Sequence, residues 1–162
     1  MMRSVLAIIK KSKHKIRRAF LVALAAYLIY LTYLTFFDRM YGRVFFHRSV
    51  NLIPFKTIGW YITASNNRTL ILINIAGNII AFMPMGFLLP LVSERMIKWS
   101  KVMLTALFAT LTIEIVQYVL GVGVTDIDDV ILNMLGAGAG YFLSRILLGV
   151  YFKVQKSFGC VE

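Results

Sequence analysis

Four long apolar runs, at residues 19–37, 69–92, 102–120 and 130–152, occupy most of this 162-residue chain and decide what it can fold into. At ~1.5 Å rise per residue, an apolar stretch of about 20 residues matches the ~30 Å hydrocarbon core of a bilayer. Hydrophobic residues make up 59% of the chain and are gathered into blocks, which excludes an ordinary soluble domain. The pattern predicts an all-α fold, an integral membrane bundle of about four transmembrane helices forming a single domain over 1–162.

Residues 1–18 form a basic segment with Arg3, Lys10, Lys11, Lys13, Lys15, Arg17 and Arg18. It is like the charged start of a signal peptide. The apolar run behind it, however, exceeds the ~7–15 residues of such a peptide. That run ends in Phe36, Phe37 and Asp38 with no small-residue cleavage site, so it reads as a retained anchor. Basic residues near spans stay on the cytoplasmic side. Arg95, Lys98 and Lys101 between spans two and three, and Lys153 and Lys156 in the tail, share a side with residues 1–18. Both termini are therefore expected in the cytoplasm. The connection between spans three and four has Asp126, Asp128 and Asp129 and no Lys or Arg, as an outer loop should. The first connection, residues 38–68, dissents with Arg39, Arg43, Arg48, Lys56 and Arg68, yet the four-span count places it outside. The net charge of +11 then reflects an anionic inner leaflet, and no nucleic acid partner is implied.

This orientation assigns depths to the polar residues within the spans. Asn74 and Asn78 fall in the outer half of span two, four residues apart on one face. Glu114 and Gln117 fall in the outer half of span three, and Asp129 and Asn133 in the first turns of span four. An ionisable group at such depth must pair, face the bundle interior or line a wet cavity. The Glu114 carboxyl has three options: hydrogen bonds from Asn74 or Asn78, a protonated buried state, or an outward-open water cavity. The asparagines alone fit helix-to-helix hydrogen bonding equally well.

Residues 125–129 also read as a helix start, with Thr125 or Asp126 as N-cap and acids complementing the positive helix end. Three aspartates exceed what a cap needs and present oxygens of the kind hard cations take, but the segment lacks the pattern of a calcium loop. No metal site and no cofactor are assigned, and no nucleophile or metal-ligand set is recognisable. The chain is accordingly read as a non-enzyme, its catalytic residues unknown. Gly136 and Gly140 form a GxxxG pattern suited to helix packing, with a homodimer contact as the lesser reading. Pro84 and Gly86 loosen the inner half of span two. In the outer connection, Asn51, Pro54 and Phe55, followed by Trp60 and Tyr61, suit a loop lying against headgroups, with membrane lipids as partners. Asn67 opens a glycosylation sequon of little weight near the membrane edge. Cys160, His14 and His47 have no partners at useful spacing.

Taken in order, several segments resemble the VanZ-like family of small bacterial membrane proteins, named for a teicoplanin-resistance protein. They are Asn51-Leu-Ile-Pro54-Phe55, Asn74-Ile-Ala-Gly77-Asn78 and Phe82-Met-Pro84-Met-Gly86-Phe87. Glu114-Ile-Val-Gln117 and Thr125-Asp126-Ile-Asp128-Asp129-Val-Ile-Leu-Asn133, ahead of Gly136 and Gly140, complete the series. The resemblance runs from Asn51 to Tyr141. It implies a multi-pass protein of the bacterial plasma membrane, linked in some members to resistance against lipid-tailed glycopeptide antibiotics. The long basic N-terminus departs from shorter-headed members. The expected role is protection against teicoplanin by altering antibiotic engagement at the outer surface, with a cell-envelope precursor or lipoglycopeptide as partner. A small membrane transporter, or an intramembrane lipid-precursor hydrolase using Glu114, Asp126, Asp128 and Asp129, is the alternative.

Overall fold

The computed structural model describes residues 15–37, 49–63, 69, 72–122 and 124–157. His14, His47, Cys160, the sequon at Asn67 and most of the basic segment lie outside the described residues. The element order is α1 (Lys15–Phe36), β1 (Ser49–Asn51), α2 (Lys56–Thr63), a π-helical turn (Leu72–Ala76) leading into α3 (Gly77–Val92), a 3₁₀ turn (Glu94–Ile97), α4 (Trp99–Leu120), β2 (Val124–Asp126) and α5 (Ile127–Ser157). Among the described residues, four helical stretches are long and apolar enough to cross a membrane: Arg17–Phe36, Leu72–Val92, Trp99–Leu120 and Ile127–Val150. The four-helix membrane bundle expected from the apolar runs is thus the fold found.

The bundle is organised around α5. Half of its membrane span is buried inside the protein, against 11% for α1, which lies at the periphery. α5 packs most closely on α3 because small residues let the two backbones meet. A Cβ at Gly86 would stand 1.8 Å from the Ala137 carbonyl oxygen. One at Gly136 would stand 2.1 Å from that of Ile79, and one at Gly140 1.9 Å from that of Met83. The GxxxG face is therefore occupied within the chain by span two, the packing use of that motif. Phe82, Met85, Ala106, Ala137 and Leu31 form the buried centre. Outward, Val22, Ile29, Ile80, Phe108, Ile115 and Ile146 are all more than 60% exposed. Such a surface suits hydrocarbon and would aggregate in water.

At the end carrying Arg17, the Nε of that residue donates to the Val92 carbonyl (3.1 Å), satisfying a helix-terminal acceptor of α3. The Tyr141 hydroxyl donates to Ile97 O at 2.9 Å, and Trp99 packs edge-to-face on Tyr141 and tilted on Phe142 at the same end. Within α3, Pro84 cannot donate to the turn before it, and the neighbouring Ala81 carbonyl accepts the Tyr27 hydroxyl at 2.8 Å, tying α1 to this loosened stretch.

Candidate functional site

At the opposite end the chain leaves α4 through Gly121, whose φ of 65° is the left-handed conformation that ends a helix most cheaply in glycine. The Val122 N–H reaches back to Gln117 O at 2.9 Å, closing the turn. β2 then runs back against α4, where the Asp126 N–H donates to Glu114 Oε2 (3.0 Å) and the Thr125 hydroxyl to Glu114 O (3.2 Å). Of the options open to Glu114, hydrogen bonding is met by the N–H of Asp126 in β2. Of the two expected caps, Thr125 and Asp126, it is the Asp126 side chain that caps α5, its Oδ1 accepting the Asp128 N–H at 2.9 Å.

The sequence gives no hint of what pairs with β2. β1 lies parallel to it, with Ser49 opposite Val124, Val50 opposite Thr125 and Asn51 opposite Asp126. This two-stranded pairing holds the segment around residues 51–55 on the bundle. The Asn51 amide donates to Asp126 Oδ1 (3.0 Å) and to Thr57 Oγ1 (3.0 Å), while the Thr57 hydroxyl donates to Asp126 Oδ2. Beyond Pro54, α2 begins without a capping side chain of its own. Asp128, 1% exposed, supplies the cap from α5. Its Oδ1 accepts the Phe55 N–H at 2.5 Å, and its Oδ2 accepts those of Thr57 (2.8 Å) and Ile58 (3.0 Å). A carboxylate against the open N–H groups and positive end of a helix is a strong pairing. Phe55 adopts φ 63°, a left-handed conformation unusual for a bulky residue. The expected interfacial loop is thus a strand and a short helix clamped by two aspartates. Its apolar side chains still face out, with Leu52 71%, Ile53 61% and Phe55 63% exposed.

The eight polar residues singled out within and beside the spans therefore divide. Asp126 and Asp128 belong to the clamp, and their oxygens face N–H and O–H donors. Among the described residues no group of three His, Cys, Asp or Glu is placed to hold a metal ion. The other six, Asn74, Asn78, Glu114, Gln117, Asp129 and Asn133, line one cavity of about 90 Å³ between α1, α3, α4 and α5. Asn78 Nδ2 donates to Asp129 Oδ1 at 2.6 Å, joining α3 to α5. Gln117 Nε2 donates to Thr35 O (3.2 Å), closing the cavity toward α1. Asn133 Nδ2 donates to Thr110 Oγ1 (2.8 Å), whereas its Oδ1 is buried without a hydrogen-bond partner. Asn74 stands in the π-helical turn, whose wider winding replaces the regular helical spacing expected between it and Asn78. Above the acids, burial and then the negative charges of Asp129 and Asp126 push the Tyr61 phenol above its ordinary value, so its hydroxyl stays protonated.

Sequence reasoning missed Thr35, Thr57 and Thr110, since a threonine in an apolar run is unremarkable. For the cap that Asp128 supplies there was one signal: a short helix beginning at Lys56 with no Ser, Thr, Asp or Asn immediately before it needs a cap from elsewhere.

Comparison with known proteins bears on the same stretch. The family model described as VanZ/LLP1 matches residues 24–148. Protein VanZ of Enterococcus faecium is 36% identical over 121 residues, covering 72% of this chain and 68% of the relative. No solved structure matches. The clamp, the cavity and the glycine-packed helix pair all lie within the matched region, and the chain belongs to the VanZ-like family of membrane proteins.

Proposed function

We propose that this protein protects a bacterial cell against lipid-tailed glycopeptide antibiotics by altering their engagement at the outer surface of the plasma membrane. One observation carries the reading: an acid-lined cavity inside the bundle lies at the same end as a clamped segment whose apolar side chains are exposed. A lipid-tailed drug and a lipid-linked envelope precursor both present a polar head and a hydrocarbon chain at that level. The distribution of basic residues supports placing the cavity end outside and both termini in the cytoplasm. The kinship with protein VanZ supports the antibiotic class.

The test is a deletion strain complemented with wild type, Glu114→Gln or Asp129→Asn and grown in teicoplanin or in vancomycin, which lacks the lipid tail. Wild type protects against teicoplanin more than vancomycin, and both variants lose that protection. Full protection by both variants sinks the cavity as the working site, and equal protection against the two drugs sinks the membrane-surface mechanism. A small membrane transporter is the second reading, favoured by the convergence of Glu114 and Asp129 on one cavity within the spans.

A further inference from the structure

Among the described residues, one buried side-chain oxygen or nitrogen has no hydrogen-bond partner, the Oδ1 of Asn133. Asn133 is 5% exposed and lines the cavity, and its nitrogen is committed to Thr110 Oγ1 at 2.8 Å. A buried amide atom left unmet is a cost that a suitable ligand removes. A hydroxyl suits it best. An O–H donates to the amide oxygen and its own oxygen accepts, so it serves the amide whichever way round that group stands. The hydroxyl oxygen can accept in turn from Asn78 or Gln117, whose NH₂ groups carry two hydrogens each and give one to Asp129 and to Thr35 O respectively. A phosphodiester or a quaternary ammonium has no hydrogen to give. A formal charge of either sign must also shed its water to enter, at far greater cost than a hydroxyl.

The cavity shares its walls with two apolar grooves. Leu31, Leu34 and Ala81 also line a groove of about 530 Å³ between α1 and α3, and Leu31 and Ile113 also line one of about 400 Å³ between α1 and α4. Tyr30 and Ile80 on the first and Phe108 on the second are each more than half exposed, so both grooves face the hydrocarbon. Each runs from the level of the cavity toward the Arg17 end of the bundle, one reaching Pro84 and the other Thr105, which lies ~13 Å along α4 from Glu114. α1, between them, is the least buried of the four spans. A polar chamber with an apolar groove on either side of α1 has the outline of a two-tailed lipid. We propose that cavity and grooves form one site for a neutral lipid of the diacylglycerol class, its free hydroxyl on Asn133 and one hydrocarbon chain on each side of α1. The lipid seats by turning Leu31 and Leu34 aside. The assignment rests on the reading that the cavity is the working site, and it fails or stands separately from antibiotic protection.

The full-length protein is reconstituted in phosphatidylcholine nanodiscs doped with equal amounts of dioleoylglycerol, its methyl ether, which has no O–H, and monooleoylglycerol, which has one chain. It is then repurified in detergent, and the lipid it retains is extracted and quantified by mass spectrometry. Wild type retains one dioleoylglycerol, about tenfold over the ether, as expected when one buried hydrogen bond is the difference, and prefers it to monooleoylglycerol. Asn133→Leu combined with Thr110→Val, which removes both members of the polar pair, brings dioleoylglycerol and its ether to parity. Ala76→Phe and Thr112→Phe, which fill the grooves beside α3 and α4, each lower retention of both. Backbone exchange at residues 55–58 reports whether each variant is folded, and the comparison of the lipids on wild type stands whatever the variants do. Equal retention of dioleoylglycerol and its ether by wild type overturns the proposal. So does a purified protein that holds no lipid, its amide met by water alone, or selectivity unchanged in the folded double variant. A protein that selects the lipid yet gives no drug protection refutes only the antibiotic reading, and protection without selectivity refutes only this one.

Discussion

Asp128→Asn keeps the shape of the side chain and removes its charge, so it isolates what the carboxylate does for α2. The carboxylate accepts three backbone N–H groups at 2.5, 2.8 and 3.0 Å. The better amide orientation keeps a carbonyl oxygen toward Thr57 and Ile58 and turns NH₂ against the Phe55 N–H. Two bonds then fall from the ~1.5–3 kcal/mol of a charged acceptor to ~0.5–1.5 kcal/mol, and the third becomes donor against donor. Assigning ~1 kcal/mol to each weakened bond and ~2 kcal/mol to the lost one gives a penalty of about 4 kcal/mol, or ~10³ in the equilibrium holding α2 in place. Hydrogen–deuterium exchange of the peptide spanning residues 52–63, measured in lipid nanodiscs, reads this directly. Exchange rises by two to three orders of magnitude on this reasoning, whereas Asp129→Asn, outside the clamp, leaves the peptide unchanged. Unaltered protection in Asp128→Asn refutes the clamp, and equal loss in both variants refutes the division between clamp and cavity.

Two further predictions test the packing and the orientation. Gly136→Ala and Gly140→Ala drive a methyl group into the Ile79 and Met83 carbonyls, force α3 and α5 apart at a cost of about 1–3 kcal/mol, and lower the detergent melting temperature. An unchanged melting temperature contradicts the close approach. In intact cells, a Val124→Cys variant on a Cys160→Ser background reacts with a membrane-impermeant maleimide while native Cys160 does not; the reverse pattern inverts the topology.

Much of this arrangement was legible in the chain because the bilayer imposes a length and a cost. The length marked the four spans, and the cost of Glu114 and Asp129 in hydrocarbon marked them before any partner was known. Depth matching brought Glu114, Asn78 and Asp129 to one level, and there they share a cavity. The Asp126 cap was readable from its place before an apolar run. The clamp was not. Three-residue strands carry no periodicity, and the bonds that hold α2 join residues about seventy positions apart, such as Thr57 and Asp128. By spacing alone the three aspartates form one cluster. Only the fold separates them, because consecutive positions at a helix start point in different directions: Asp128 toward α2 and Asp129 toward Asn78 on α3. The π-helical turn at Leu72–Ala76 was equally hidden, since its residue types suit a regular helix.

The central claim is that the cavity, and not the clamp above it, is where this protein works. Ala81→Phe tests it most directly, since Ala81 lines the cavity and makes no clamp contact through its side chain. With exchange at residues 55–58 as protected as in wild type, the account predicts that teicoplanin protection is lost. Full protection by a folded Ala81→Phe protein contradicts it.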